Sequence, residues 1–545
     1  MKYTFQIQSL KIKEYPILFE DYLYRFEKVS RFYQWNYHTD WEPCIKLRER
    51  SYQNRSLIQR ILLEQNRKWN ATFATMNNIK KLSHPNTLAV VTGQQAGIFG
   101  GPLYTAYKIL TAVKLAEQLQ DQFSQYQFVP IFWMEVSDGD FQEINHFYCF
   151  DKSNQLHCFT LKDQPEDFRP IHFRQIPDEI EQIYERLVEI CLKTEFRDTI
   201  LEKMRKIYHP GKSLADAFAE WLIEMFGDYG LIVFNPEEKG SKHLAAPLFR
   251  KAFYEWKQVN QIFQQISEKL KSTGYHNQII LGENQTLLFY LSDNLDRSRV
   301  DRDENRFLVR HPQNHYPISD SEINFILNKS PERFSPNVAL RPIVQDYLLP
   351  TVAYIGGPAE ISYLAQLKEL YHFFGVNQPI FYPRVRMTLV EKRIHRLVQK
   401  FGYDYHKIFE LKENLLEEFI RQHSDKYLKD KFDQIKADLY RSMIELNDIM
   451  IEIDPTLQSA IQKTQNQIDN AFNKFFERAD KAFERKMETE VRQLKSVISN
   501  LFPNGKYQER ILNLFNYLVK YGPDFISNLY DSLPVETDLH KLVFL

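Results

Sequence analysis

The pattern of apolar and polar residues changes character near residue 88 of this 545-residue chain. Before that point the pattern is mainly helical, because the apolar residues of segment 51–80 recur at spacings that place them on one face of a helix. After it, short apolar runs rich in β-branched residues alternate with amphipathic stretches. Such runs are typical of strands that are buried on both faces of a sheet.

A βαβ unit is predicted directly after this change. The apolar run LAVVT (88–92) leads into a glycine-spaced loop, GQQAGIFGGP (93–102), and then into a helical pattern over 103–119. A second apolar run, FVPIFWM (128–134), follows the helix. Units of this kind build parallel sheets with right-handed crossovers. Further strands are predicted at GLIVFN (230–235), NQIILG (277–282) and QPIFYPRV (378–385).

The sequence therefore predicts an α/β fold in which a Rossmann-like parallel sheet carries insertions and is followed by an α-helical coiled coil. We expect inserted segments at about 146–228 and 283–333, the first opening with a hairpin and continuing as helices. The predicted divisions are a helical segment packing on the core (1–87), the sheet core (88–385), a helical hairpin (386–500) and a closing segment (501–545).

A nearly heptad pattern supports the helical hairpin. Apolar residues between Leu428 and Ile453 recur at steps of three and four, Pro455 interrupts the pattern, and a second run continues to Phe483. Two long helices joined at a proline form an antiparallel hairpin. Two interpretations stay open: the apolar seam pairs with a second copy to give a homodimer, or it packs on the chain's own core.

Composition narrows the possible functions. Lys and Arg number 70 against 71 Asp and Glu, so the chain lacks the basic excess that phosphate contacts require, and we expect no nucleic-acid partner. The chain has no run of 18 apolar residues and no signal-peptide pattern, so we expect no membrane span and a cytoplasmic location. The four Cys form no CxxC pair and no metal-ligand set, which favours reduced thiols.

The glycine-spaced loop is the strongest local signal for a binding site. Backbone N–H groups between a buried strand and a helix favour anionic or polar ligands, although the loop fits neither GxxxxGK[ST] nor GxGxxG. Alternatively, it is a tight turn that needs glycine for steric reasons. Lys108, further along the helix, is either a phosphate contact or exposed to solvent. The candidate substrate-binding residues here are Thr92, Gly93, Gln94, Gln95, Gly100, Gly101, Tyr104 and Thr105.

A cluster of polar residues, EVSDGDFQEINH (135–146), follows the second strand. Ligands of open α/β sheets bind at the carboxyl ends of the strands, where clustered carboxylates hold an amine, bind Mg²⁺ or act as a base. The competing interpretation is a polar loop with helix-capping residues, in which His146 is structural. The candidate catalytic residues are Asp138, Asp140, Glu143, Asn145 and His146.

A third candidate segment covers residues 334–375. Arg341 is suited to clamp a carboxylate with two hydrogen bonds, whereas Glu360 alternatively interacts with a helix dipole. The candidate substrate-binding residues of this segment are Asn337, Arg341, Gly356, Gly357 and Glu360. Arg384 and Arg386 follow a predicted strand and are candidate phosphate contacts.

Several of these segments resemble a known family. The runs VVTGQQAGIFGGPLYTAYK, SPNVALRPIVQDYLLPTVAYIGGPAEISYLAQLKELYHFFG and PNGKYQERILN with KYGPDF are similar to those of the cysteine-adding enzymes of bacillithiol biosynthesis. The resemblance extends over essentially the whole chain. It implies a core like that of class I aminoacyl-tRNA synthetases and a coiled coil that supports homodimers.

The resemblance also implies an activity. Members join cysteine, through its carboxyl group, to the glucosamine amine of glucosaminyl-malate. Because amide formation from a free carboxylate is unfavourable in water, we expect a nucleotide, ATP or ADP, to take part. A nucleotide pocket near the coiled coil belongs to the family picture. The residues assigned to nucleotide binding are Lys108, Arg384, Arg386, Asn504, Gly505 and Arg510.

One loop departs from the family pattern, which usually reads EDHDxxEINH. Here it reads SDGDFQEINH, with Ser137 and Gly139 at the changed positions. The loss of a carboxylate and an imidazole weakens an acid–base or metal role for the loop. One interpretation is a nucleotide- or metabolite-binding dimer with reduced or lost ligase activity; another is that the changed residues are not catalytic. A tRNA-dependent enzyme is disfavoured, since HIGH and KMSKS signatures and a basic tail are missing.

Overall fold

The computed structural model divides the chain into two compact units, Met1–Leu389 with Gln508–Leu545, and Val390–Tyr507. The residues that the structure describes are 5–12, 15–52, 54–163, 167–303, 306–423, 426–454, 457–486, 488–534 and 536–545. No helix in these ranges is long and apolar enough to span a membrane.

The first unit contains the strands. They are β1 (Gln6–Leu10), β2 (Thr87–Gln95), β3 (Gln127–Glu135), β4 (His146–Phe150), β5 (Leu156–Thr160), β6 (Ile232–Phe234), β7 (Gln285–Leu291), β8 (Arg297–Asp303), β9 (Arg306–Arg310), β10 (His315–Ile318), β11 (Phe334–Pro336), β12 (Thr351–Gly356), β13 (Ile380–Pro383), β14 (Arg386–Val390) and β15 (His540–Phe544).

Helices surround these strands in the first unit. Up to β7 they are α1 (Ile17–Tyr24), α2 (Phe26–Val29), α3 (Trp41–Ser51), α4 (Arg55–Lys68), α5 (Phe73–Lys81), α6 (Leu103–Gln122), α7 (Ile180–Ile190), α8 (Arg197–Ile207), α9 (Leu214–Phe226), α10 (Lys239–Tyr254) and α11 (Trp256–Ser272). Between β10 and β13 they are α12 (Asp320–Lys329), α13 (Arg341–Leu348), α14 (Pro358–Leu364) and α15 (Lys368–Phe374).

The second unit is helical in its described residues. Its helices are α16 (Lys392–Phe401), α17 (Tyr405–Leu411), α18 (Leu415–His423), α19 (Lys426–Ile453), α20 (Gln458–Lys486) and α21 (Glu488–Leu501). The chain then returns to the first unit with α22 (Gln508–Ile511), α23 (Phe515–Tyr521) and α24 (Asp524–Ser532).

A parallel sheet in the order β13-β12-β2-β3-β6 forms the centre of the first unit. Successive side chains of its inner strand β3 point to opposite faces, so Ile131 and Trp133 join one apolar cluster while Phe132 and Met134 join another. This double burial explains why the strand is apolar at every position from Phe128 to Met134 rather than at alternate ones. The Rossmann-like sheet predicted from the sequence is confirmed.

The order in which the chain adds strands reverses in the middle of this sheet, although all the strands are parallel. From β2 the chain runs through α6 to β3 on one side, whereas from β12 it runs through α14 and α15 to β13 on the other. A crevice therefore opens between the carboxyl ends of β2 and β12. Open α/β sheets bind their ligands at such a point.

Three further sheets accompany the core in the described residues, one of them the two-stranded pair of β4 and β5. The inserted segment after α11 forms an antiparallel sheet in the order β10-β9-β8-β7-β11. The chain ends form another, in which β15 lies between β1 and β14. The predicted hairpin near 146–175 is confirmed as β4 and β5, and the helices predicted over 180–228 are confirmed as α7, α8 and α9.

Two strand predictions differ from the structure. NQIILG (277–282) forms no strand, because its backbone is used differently: the Gln366 side chain accepts hydrogen bonds from the N–H groups of Gln278 and Ile279, both at 2.9 Å, and donates to the Ile279 carbonyl. Conversely, β12 is an inner strand of the sheet, at a place where the sequence pattern predicted no strand.

The two compact units divide at 389/390 and at 507/508, and the divisions expected at 385/386 and 500/501 stay predictions. The Gln508 side chain explains the second boundary. Its amide accepts a hydrogen bond from the Leu389 N–H at 2.9 Å and donates to the Leu389 carbonyl at 3.0 Å. The chain therefore leaves and re-enters the first unit at one place. The predicted helical segment 1–87 belongs to the first unit and also contributes β1.

The predicted helical hairpin is confirmed within the second unit. The ring of Phe432 in α19 lies 5.5 Å from that of Phe472 in α20, and Lys436 pairs with Asp469, so the two helices run antiparallel. The predicted break at Pro455 lies outside the described residues. Leu446, Ile449 and Ile453 remain exposed and share one side of α19, so an apolar face of the hairpin is uncovered in the single chain, and the homodimer stays a prediction.

Gly93 provides a test of the packing between β2 and β3. A Cβ at this position would lie 2.8 Å from the Trp133 carbonyl oxygen, closer than real Cβ atoms come to backbone. We expect Gly93→Ala to lower the free energy of unfolding by about 1–3 kcal/mol in urea titrations. Gly282→Ala is the matched control, since its Cβ meets nothing closer than 3.8 Å. Equal stability of the two variants would contradict this packing.

Candidate active site

A cavity of about 570 Å³ occupies the crevice between β2 and β12. Strand ends, the start of α6, the start of α14 and the antiparallel sheet all contribute to its wall. The sequence-predicted residues that line it are Gly93, Gln94, Gln95, Tyr104, Lys108, Asp138, Asn337, Arg341, Gly357, Glu360, Arg384 and Arg510. The loops after β2, β3 and β12, which are far apart in the sequence, thus meet at one place.

Other predicted residues lie elsewhere. Those outside the cavity wall in the first unit are Thr92, Gly100, Gly101, Thr105, Asp140, Glu143, Asn145, His146, Gly356 and Arg386. Asn504 and Gly505 belong to the second unit, where they form a turn after α21 and the Gly505 N–H donates to the Phe502 carbonyl.

The second half of the glycine-spaced loop, residues 97–101, is a tight turn that needs glycine for steric reasons. Gly100 and Gly101 have φ angles of 89° and 72°, a region that side chains disfavour. The Asn513 side chain fixes this turn, because its amide donates to the carbonyls of Phe99 at 3.1 Å and Gly101 at 2.7 Å. The carbonyls of this turn therefore hydrogen-bond to the closing segment, and only the first part of the loop faces the cavity.

The cluster after β3 divides in a similar way. Asp138 lines the cavity, whereas the buried Asn145 donates to the Leu161 carbonyl at 2.8 Å and holds the β4–β5 hairpin. The Nδ1 atom of His146 lies 3.1 Å from the Gln142 carbonyl oxygen, and Asp140 is exposed. This geometry corrects the expectation that all five predicted catalytic residues face a ligand.

Lys108 and Glu360 form a buried ion pair across the crevice. The Lys108 Nζ atom lies 2.5 Å from the Glu360 carboxylate and donates to the Gly93 carbonyl at 2.8 Å and the Gln94 side chain at 2.9 Å. Burial raises the pKa of Glu360, but Lys108 outweighs this effect and holds the pKa below its ordinary value of 4.5. Lys108 therefore has an internal counterion and is not exposed to solvent.

Arg384 is neutralised in the same manner. Its guanidinium donates two hydrogen bonds to the buried Glu509 carboxylate, at 2.8 and 2.6 Å, in the bidentate geometry typical of arginine. Arg386, a second predicted phosphate contact, is buried and donates to the Thr537 carbonyl at 3.0 Å. These contacts correct the expectation that Arg384 and Arg386 are available to phosphate. Among the predicted cations of the first unit, Arg510 is exposed and lacks an ion pair in the described ranges.

Two other arginines present their charge to the cavity. The Nε atom of Arg297 donates to the Ser335 hydroxyl at 2.9 Å, and its guanidinium stacks on the Phe289 ring at 3.7 Å. Arg341 donates to the Gln345 side chain at 3.1 Å and to the Tyr363 hydroxyl at 3.3 Å. The hydrogen-bond partners of both side chains are therefore neutral, and the nearest carboxylates lie beyond hydrogen-bond distance, at 3.8 Å from Arg297 and 4.0 Å from Arg341.

Two carboxylates lie beside these arginines. Asp138, whose side chain is 44% exposed, is 3.8 Å from Arg297, and Glu135 is 4.0 Å from Arg341. The Ser137 hydroxyl donates to the Glu135 carboxylate. Burial lowers the pKa of Arg297, and the charges of Asp138 and Glu135 oppose that shift. The cavity can thus hold a molecule that carries both carboxylate and amine groups.

Several of these residues are missing from the sequence-based list. Glu135 ends β3 and was open to detection by the rule that ligands bind at strand ends. Arg297, Tyr363 and Glu509 carried no local signal, because distant segments bring them to the site.

The two positions that depart from the family loop have simple local surroundings. Ser137 is buried and hydrogen-bonded to Glu135, so it replaces a direct charge with a group that orients the neighbouring carboxylate. A Cβ at Gly139 would lie 3.3 Å from the Phe168 carbonyl oxygen, and the Gly139 carbonyl accepts from Arg174 at 3.2 Å. The loop at 168–169 thus leaves little room for a large side chain at position 139.

The Lys108–Glu360 pair is expected to stabilise the fold. Lys108→Met leaves the Glu360 carboxylate without its counterion, and we expect a loss of about 3 kcal/mol in the free energy of unfolding. The double variant Lys108→Met with Glu360→Gln removes both charges and is expected to regain part of that loss in the same urea titration. If the double variant loses the sum of both single losses, the pair has no coupling and this interpretation is wrong.

The Arg384–Glu509 pair predicts a dependence of stability on pH. Burial raises the pKa of Glu509, yet Arg384 outweighs it and leaves the pKa below the ordinary 4.5. The stability that this lowered pKa contributes is fully present above pH 4.5 and is lost as the pH falls through the folded-state value. We expect wild type to be more stable than Glu509→Gln at pH 7, and the gap to narrow below about pH 4. Unfolding titrations across this range measure the gap, with exposed Glu27→Gln as control; a constant gap would contradict the assignment.

Comparison with known proteins identifies the family. Residues 5–385 match the family model described as "Bacillithiol biosynthesis BshC, N-terminal Rossmann-like domain", and residues 387–545 match "Bacillithiol biosynthesis BshC, C-terminal coiled-coil domain". Relatives named "Putative cysteine ligase BshC" cover nearly the whole chain. That of Salinibacter ruber is 32% identical over 97% of this chain and 96% of its own length, and that of Chlorobaculum tepidum is 33% identical over 91% and 90%. The two matched domains together span the sheet, the cavity and the helical hairpin, and the chain therefore belongs to the BshC family of bacillithiol biosynthesis.

Proposed function

We propose that this protein is a cysteine ligase that joins the carboxyl group of cysteine to the glucosamine amine of glucosaminyl-malate. Family membership and the names of the relatives support a ligase of bacillithiol biosynthesis. The observation that carries the finer proposal is the cavity with two arginines and two carboxylates whose charges face the same space: Arg297, Arg341, Glu135 and Asp138.

The substrates have the charges that such a cavity recognises. Glucosaminyl-malate carries the two carboxylates of its malate group, and guanidinium groups bind carboxylates with two parallel hydrogen bonds. Arg341 and Arg297 are already oriented by neutral partners, so they lose little conformational freedom when they bind an anion. The amines of both substrates are cations at neutral pH, and Asp138 and Glu135 are suited to hold them.

The chemistry requires removal of a proton from the attacking amine. An ammonium group has no lone pair, so a base must accept a proton before the nitrogen attacks the cysteine carboxyl carbon. Asp138 is the carboxylate of the loop that faces the cavity and is partly exposed, and we assign this role to it. The C–N bond then forms as the carbon–oxygen bond to the activated carboxyl oxygen breaks.

Activation of that oxygen is part of the proposal. Joining a carboxylate to an amine releases water, which is unfavourable in aqueous solution, and ATP is the expected source of an activating group. The predicted phosphate contacts Lys108, Arg384 and Arg386 do not fit this task, because carboxylates or backbone carbonyls already hold them. Arg510 is suited to meet an anion at the cavity wall. Lys108, Arg384 and Arg386 are given no role in binding the nucleotide.

A homodimer through the α19–α20 hairpin completes the proposal. The exposed side chains of Leu446, Ile449 and Ile453 give the hairpin an apolar face that a second copy is suited to cover.

A direct assay tests the ligase proposal. The purified protein is incubated with cysteine, glucosaminyl-malate and ATP, and the thiol product is followed by mass spectrometry. Product formation that depends on all three reactants is expected. Absence of product at every enzyme concentration rejects the ligase, whereas binding of glucosaminyl-malate or ATP without turnover supports the metabolite-binding alternative suggested by Ser137 and Gly139.

A matched pair of variants tests the assignment of the base. Asp138→Asn removes the carboxylate that faces the cavity, and we expect kcat to fall by about 10²–10⁴-fold, as for other general bases. Asp140→Asn is the control, because Asp140 is exposed and outside the cavity wall, and its kcat is expected to stay within about twofold of wild type. Steady-state kinetics on both variants decide the matter, and an equal loss in each would assign the role to the loop rather than to Asp138.

A further inference from the structure

A buried chain of hydrogen bonds extends behind Arg341, away from the cavity. The Nη1 atom of Arg341 donates to the Oε1 atom of Gln345 at 3.1 Å, and the Nε2 atom of Gln345 donates to the Oδ1 atom of Asp346 at 3.0 Å. The Tyr371 hydroxyl donates to the other oxygen of Asp346 at 2.5 Å. Gln345 and Asp346 are both at most 1% exposed, so water does not compete for these contacts.

The chain also ties three helices together. Arg341, Gln345 and Asp346 lie on α13, and Tyr371 lies on α15. The Nη1 atom of Arg48, from α3, donates to the Asp346 backbone carbonyl at 2.9 Å. Packed elements therefore hold the far end of this hydrogen-bond chain, and its near end is the guanidinium that faces the cavity.

The chemistry at position 345 is specific to an amide. Arg341 has only donors to offer, and the Asp346 carboxylate has only acceptors, so the group between them must accept on one side and donate on the other. A glutamine does both, and the spacing of Arg341 and Gln345 places them one helical turn apart. A carboxylate or a methylene group at this position satisfies at most one neighbour.

We propose that Gln345, supported by Asp346, is a positioning residue that fixes the guanidinium of Arg341 for carboxylate recognition in the cavity. The inference rests on the proposed function, because it takes Arg341 to bind a carboxylate of the amino-sugar substrate. Gln345 itself does not line the cavity and touches no ligand. Its contribution is to hold Arg341 in place through a neutral group. Glu360 and Glu509, in contrast, neutralise the charges of Lys108 and Arg384.

Two substitutions separate orientation from charge. Gln345→Leu removes both hydrogen bonds of the Gln345 amide and leaves Arg341 with only the Tyr363 hydroxyl of its two neutral partners. Gln345→Glu keeps the shape but pairs Arg341 with a carboxylate and places two acceptors together at Asp346. We expect each to weaken binding of glucosaminyl-malate by about tenfold or more, since hydrogen bonds to charged groups are at stake. Isothermal titration calorimetry with glucosaminyl-malate alone measures this, and it requires neither ATP nor turnover.

Gln65→Leu is the matched control. Gln65 is a buried glutamine of α4 whose amide makes two hydrogen bonds with the backbone of Asn235, at 2.9 and 3.1 Å, and it does not line the cavity. We expect it to lose as much thermal stability as Gln345→Leu but to bind glucosaminyl-malate as wild type does. If Gln345→Leu fails to fold, the isosteric Gln345→Glu carries the test.

The outcomes distinguish two failures. Wild-type protein that binds no glucosaminyl-malate overturns the substrate assignment and the positioning role with it. Wild-type protein that binds, with Gln345→Leu and Gln345→Glu binding equally well, leaves the proposed function standing and overturns the role of Gln345. In the ligase assay, the expected signature is a raised KM for glucosaminyl-malate with KM for cysteine unchanged; a uniform fall in kcat with unchanged KM also contradicts the inference.

Discussion

The structure depends on an ion pair inside the protein, at the point where the strand order of the parallel sheet reverses. Lys108 from α6 and Glu360 from α14 meet across the crevice at 2.5 Å, and each also binds the backbone of the strand end or loop beside it. Neither charge is tolerable alone in that environment. The pair therefore ties α6 to α14 at the wall of the cavity, above the two strands β2 and β12 that pair directly in the sheet.

The same constraint sorts the cations of the site. A buried cation with a carboxylate partner stabilises the fold, as Lys108 and Arg384 do. A largely buried cation whose hydrogen-bond partners are neutral, with its nearest carboxylate at 3.8–4.0 Å, has N–H groups that can still turn to a ligand, as Arg297 and Arg341 do. The partner, rather than the residue type or its position in a loop, decides between these roles.

This distinction explains how far the sequence alone carries. The strands β2 and β3 were predictable because burial on both faces imposes a continuous apolar run, and the loops that follow them were found for the same reason. The run 277–282 is also apolar at its centre, but its backbone N–H groups donate to the Gln366 side chain. Gln366 lies 88 residues after Gln278, and no local sequence pattern indicates such a distant partner. Likewise, Arg384 had the features of a phosphate contact until Glu509, 125 residues further along the chain, was seen to hold it. Local periodicity predicted the elements, whereas contacts between distant residues decided the roles.

The two hydrogen bonds between the Gln508 side chain and the Leu389 backbone bear on how the length of the second unit can change. Both residues belong to the first unit, so these hydrogen bonds hold together the two points at which the chain leaves and re-enters it. The sheet can therefore form whether segment 390–507 is long or short. Lengthening or trimming the helices of that segment changes no strand register. A longer or a shorter hairpin is thus compatible with the same cavity.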